Sequence, residues 1–152
     1  LTREDIGNVT EILAHYSQPN PADGASHEAA ARMMNLGSSG ERTTAARPRD
    51  GREFQQWITD ELKPGDVVRS SVDLDADQEY WFKSQHAILV GKDAAGREYV
   101  YDPYPKPTQR GQLVYRDQDP GQFAYYLDKM IPYHSTTKGS HDAIGGGKVY
   151  HY

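Results

Sequence analysis

A chain of 152 residues is long enough for a sizeable core, and 11 Tyr, 3 Phe and 2 Trp supply bulky side chains for it. The 17 basic and 22 acidic residues leave a net charge of −5 with no basic block, which argues against a positive nucleic-acid-binding face. Cysteine is absent and no run of about 18 apolar residues occurs, which excludes disulfides, cysteine-ligated zinc and a helical membrane span.

The first predicted element is a helix over residues 2–16, capped by Thr2, with Ile6, Val9, Leu13 and Tyr16 at helical spacing. Residues 17–25 hold two prolines and a glycine and read as a loop. A second helix is expected over 26–36, with Ser26 as N-cap, Ala29, Ala30, Met33 and Met34 on one face, and Gly37 as its stop. Residues 37–51 are rich in Gly, Ser, Thr, Arg and Pro and are expected to form a mobile surface loop. A third helix over 52–62 places Phe54, Trp57, Ile58 and Leu62 together.

Strands follow at 67–72, 86–91, 98–102 and 113–115. Pro120 opens a helix over 121–130, residues 131–134 read as an edge strand, and 135–152 reads as a Gly-rich tail. Helices first and antiparallel strands after them make an α+β pattern. One domain is expected over 1–152: N-terminal helices (1–36), a loop (37–51), a helix with an antiparallel sheet (52–134) and the tail. The opening Leu1-Thr2-Arg3, without Met, is expected of a piece of a longer protein or a processed product.

The hairpin over 86–102 carries the chemistry. With its turn centred on Ala94, Val90 would face Glu98, Ile88 would face Val100 and His86 would face Asp102. A carboxylate beside an imidazole orients a base, and a base needs a nucleophile. Ser26 stands at a helix start, where free N–H groups stabilise an anion. No cofactor or metal is expected. His15, His134, His141 and His151 lack metal-ligand spacing. Asp73, Asp75 and Asp77 begin a calcium-like pattern, but Gln78 and Ser84 stand where it needs Gly and Glu. Gly145-Gly146-Gly147 lacks the Lys-Ser/Thr sequel of a phosphate loop.

Asp23-Gly-Ala-Ser26-His-Glu-Ala-Ala, His86-Ala-Ile-Leu-Val-Gly and Tyr99-Val-Tyr-Asp102-Pro together resemble the papain-like cysteine hydrolase core. Within it, the chain looks most like papain-fold bacterial toxin and effector domains, which include glutamine deamidases and proteases. The resemblance spans about residues 20–104 and implies a papain-like fold, N-terminal helices packed on a small antiparallel sheet. It implies a nucleophile at position 26, with His86 as base and Asp102 as its orienter. The chain departs from the family at position 26, where Ser stands in place of Cys, with Ala25 the other placement; a Cys→Ser substitution at 26 is the expectation. The resemblance also implies a side-chain amide for the oxyanion, supplied by Asn20, six positions before Ser26, or by Gln18.

The implied activity is amide hydrolysis, by deamidation or proteolysis, on a protein substrate in a target cell. Delivery within a larger secreted protein and a cognate inhibitor protein as a further partner belong to the same expectation. A cell-wall amidase, a transglutaminase and a catalytically dead papain-like binding module are the alternatives.

Overall fold

The computed structural model describes residues 38–73, 86–102, 112–132 and 143–152. Six strands, β1 (Gly40–Thr43), β2 (Asp66–Val72), β3 (His86–Lys92), β4 (Glu98–Asp102), β5 (Gln112–Tyr115) and β6 (Lys148–His151), form one sheet in the order β1-β6-β2-β3-β4-β5. Every pairing is antiparallel. Two α-helices, α1 (Gly51–Glu61) and α2 (Pro120–Asp128), and one 3-10 turn (Gly145–Gly147) complete the described elements, a mixed α+β fold. The helices expected over 2–16 and 26–36 lie outside the described residues.

Local chemistry accounts for the helix ends. Asp50 caps α1 by accepting the Glu53 N–H at 2.9 Å. At the other end, Lys92 Nζ donates to the Thr59 and Leu62 carbonyls at 3.0 and 2.7 Å, meeting orphan acceptors where a cation is favoured. Asp119 caps α2 by accepting the Gln122 N–H at 3.1 Å, and Pro120 fills the first turn without losing a helical hydrogen bond.

Both helices cover the same face of the sheet. Phe54 and Ile58 from α1, and Phe123 and Leu127 from α2, are fully buried against Val68, Val90 and Val100. Burying each such side chain contributes about 1.5–3 kcal/mol. The other face carries a second cluster, Val67, Leu89, Tyr99 and Tyr150, contributed by strands alone. Gly91 makes room on that face, since a Cβ there would lie 2.8 Å from Tyr99 Oη. β2 is therefore buried along both faces and sits inside the sheet.

Four expectations need correction. The surface loop over 37–51 contains β1, whose side chains are all exposed and which exists through backbone pairing with β6, so no apolar alternation announces it. The Gly-rich tail over 135–152 contains β6, which lies between β1 and β2 with Val149 and Tyr150 buried. A single 3-10 turn at Gly145–Gly147 steers the chain into the sheet, and Gly147 takes φ +71°, open mainly to glycine. Of the edge strand expected over 131–134, the described part, Ile131 and Pro132, is irregular and follows a single bridge from Val72 to Met130, while 133–134 lie outside the described residues. The hairpin register is shifted by two residues: Lys92 pairs with Glu98 and Val90 with Val100. Asp93 causes the shift. Its Oδ1 accepts the Ala95 and Arg97 N–H groups at 2.9 Å each, closing a five-residue loop with Gly96 at φ +82°.

Candidate functional site

The strand ends build the site. His86 is the first residue of β3, Asp102 the last of β4 and Gln112 the first of β5. Pairing sets Asp102 opposite Gln112, and His86 opposite Val72 at the end of β2. All four positions lie at one end of the sheet, the end from which the chain enters and leaves 74–85 and 103–111.

A two-residue shift moves His86 and Asp102 from directly opposite to diagonal positions, and it keeps them on one face because the side-chain period of a strand is two. Long side chains span such a diagonal. His86 Nε2 lies 2.5 Å from Asp102 Oδ1. The imidazole is 5 % exposed and the carboxylate 0 %. An ionised carboxylate only accepts, so Nε2 carries the proton in this bond, and a neutral His86 has its lone pair on Nδ1.

The second carboxylate oxygen is met from the helix layer. Tyr126 Oη donates to Asp102 Oδ2 at 2.6 Å, and the end of the Gln112 side chain lies 3.5 Å from the same hydroxyl. By spacing alone Tyr126, with Phe123 and Leu127, reads as one of the apolar positions of α2. The available signal was chemical: a tyrosine on the buried stripe of a helix brings a hydroxyl that needs a partner.

A second histidine–carboxylate pair closes the opposite end of β2. His151 Nδ1 lies 2.9 Å from Asp66 Oδ1, while Oδ2 accepts Arg42 Nη1 at 2.7 Å and the Lys63 N–H at 2.8 Å. Burial pushes the Asp66 carboxyl up, but the Lys63 amide, His151 and Arg42 outweigh it and hold it below the ordinary carboxylate value.

Ser26, Asn20 and Gln18 lie outside the described residues, as do Asp75, Asp77, His15, His134 and His141. Among the described residues, no cluster of three or more His, Asp or Glu side chains could hold a metal ion. No helix among them is long and apolar enough to cross a membrane. The chain matches no protein-family model, no curated protein and no solved structure in the comparisons made with it.

Proposed function

We propose that the chain is a papain-like amide hydrolase domain, of the toxin or effector kind, in which His86 is the base and Asp102 its orienter. The observation that carries this reading is the buried 2.5 Å bond between His86 Nε2 and Asp102 Oδ1 where β3 begins and β4 ends. A carboxylate and an imidazole buried together are costly to desolvate, and a histidine hydrogen-bonded to a carboxylate is the arrangement of a base and its orienter. The nucleophile belongs at position 26, as a cysteine where this chain has Ser26.

In that reading the thiol passes its proton to His86 Nδ1, and the thiolate attacks an amide carbonyl carbon. Asn20 or Gln18, with the backbone N–H of residue 26, steadies the oxyanion. As the C–N bond breaks, His86 returns the proton to the departing nitrogen, leaving an acyl-thioester. His86 then takes a proton from water, whose oxygen attacks the thioester, and the thiol is restored. Ammonia leaves when the substrate is a glutamine side chain, and an amine leaves when it is a peptide. The substrate is a protein of a target cell, reached by delivery as part of a larger secreted protein.

The test exploits the absence of cysteine elsewhere in the chain. Ser26→Cys creates one thiol, so an electrophilic thiol probe reports position 26 alone. Rapid labelling that disappears in Ser26→Cys/His86→Ala supports the reading; labelling no faster than that of a free thiol, unchanged by His86→Ala, rejects it. Intact-mass analysis of targets then separates the chemistries, since deamidation adds about 1 Da and proteolysis splits the chain. Ser26 itself favours a second reading, a binding module that keeps the papain-like shape without a nucleophile. A Ser26→Cys protein that neither labels rapidly nor turns over a target selects it.

A further inference from the structure

The Asp102 carboxylate is fully buried, and a buried carboxylate is stable only when donors meet both oxygens. Oδ1 is met by His86 from β3, and Oδ2 by Tyr126 from α2. The tyrosine is 2 % exposed and reaches the carboxylate from the helix layer. Its hydroxyl has one proton, and Asp102 Oδ2 at 2.6 Å takes it. Gln112 Oε1 lies 3.5 Å from the Tyr126 hydroxyl, too far to compete with Asp102 for that proton. The contacts then run from Tyr126 to Asp102, joining α2 and β4 to the imidazole on β3.

We infer that Tyr126 is a positioning residue for the proposed reaction: by holding Oδ2 it locks the plane of Asp102, and through Asp102 it fixes His86 with Nε2 as donor and Nδ1 as acceptor. The inference rests on the hydrolase reading for its catalytic meaning, but its geometry stands apart from that reading. A carboxylate held at one oxygen turns about its Cβ–Cγ bond, a broad, soft rotation. A carboxylate held at both presents Oδ1 in one direction, and the imidazole facing it has one favoured tautomer. Successive hydrogen bonds in a low-dielectric interior also strengthen one another. The wrong tautomer would present an N–H to the nucleophile in place of a lone pair, so the fit of His86 as a base depends on a side chain that touches neither substrate nor nucleophile.

Tyr126→Phe removes the hydroxyl and keeps the ring. The readout is the ring nitrogens of His86, followed by long-range proton–nitrogen NMR at mildly alkaline pH in the chain as it stands, with Ser26. The parent protein should show the Nε2–H form alone, and Tyr126→Phe a mixture with Nδ1–H. In the Ser26→Cys background, the same change should slow probe labelling by about tenfold to a hundredfold, the range for one charge-assisted hydrogen bond. A Tyr126→Phe protein that keeps the single tautomer, or labels within about twofold of its parent, overturns the inference. Should Ser26→Cys show no activated labelling while the tautomer still responds to Tyr126→Phe, the hydrolase reading falls and the positioning stands. If Tyr126→Phe does not fold, the parent spectrum decides alone, because an Nδ1–H tautomer there contradicts the geometry.

Discussion

Two histidine–aspartate pairs stand at opposite ends of β2, and they differ in what surrounds the carboxylate. Asp66 is met by a guanidinium, a backbone amide and an imidazole, and it pins three strands and a tight turn together. Its partners sit near water, with Arg42 41 % and His151 51 % exposed. Asp102 is met by an imidazole and a phenol that are themselves buried. A carboxylate beside an arginine is a familiar structural staple. One enclosed with a histidine and a tyrosine costs more to bury and fixes the direction of an imidazole. A His–Asp contact alone therefore says little about function, and the surroundings of the carboxylate carry the information.

The contrast can be broken by alanine at each carboxylate, followed by urea unfolding. Asp102→Ala leaves the His86 ring and the Tyr126 hydroxyl buried without their shared acceptor, and should cost about 3–5 kcal/mol. Asp66→Ala lets Arg42 and His151 turn to solvent and leaves the Lys63 amide without its acceptor, which should cost about 1–3 kcal/mol. The reverse order would mean that the Asp66 staple is the more buried network in energetic terms, and the distinction drawn above would fail.

Acid sharpens the same comparison. The Asp66 carboxyl is held below its ordinary value in the folded protein. Its contribution is therefore fully present above the unfolded-state value, about 3.9, and is lost as pH falls through the lower folded-state value. Asp66→Asn should start less stable near neutral pH and then lose less than its parent between about pH 5 and pH 2. Urea midpoints against pH for the two proteins give the answer, and parallel curves would show that Asp66 contributes nothing to the acid limb.

These particulars also show how far residue patterns reach. Phe54 and Ile58 repeat at helical spacing ahead of a proline turn, so α1 was legible to within one residue. β3 and β4 were legible because β-branched and aromatic residues run up to Asp93 and Gly96, which punctuate strands. The register was not, because the side chain of Asp93 sets the loop length and that bond is invisible in composition. The facing of His86 and Asp102 survived because the error was an even number of residues. β1 and β6 were illegible for opposite reasons. β1 has no buried side chain to betray it, and β6 offers only Val149 and Tyr150 behind three glycines, too short a run to show a period. Tyr126 was visible as a buried ring, but its contact with Asp102 crosses from a helix to a strand and leaves no local pattern.

The smallest expected effect lies at the edge of the staple. Arg42 reaches Asp66 with Nη1 at 2.7 Å and the Glu61 carbonyl, at the last residue of α1, with Nη2 at 3.0 Å. The side chain is 41 % exposed, so water and salt weaken what it contributes. Removing it leaves Asp66 with the Lys63 amide and His151. Arg42→Ala should therefore cost no more than about 1 kcal/mol, a cost that shrinks as salt is raised. Arg42→Lys keeps the charge but lacks the fork that meets two acceptors at once, so it should recover only part of the loss. A cost for Arg42→Ala that equals Asp66→Ala and ignores salt would mean that the guanidinium, not the carboxylate, holds this end of the sheet. Asp66 and Asp102 would then differ in what they anchor as well as in how exposed their partners are.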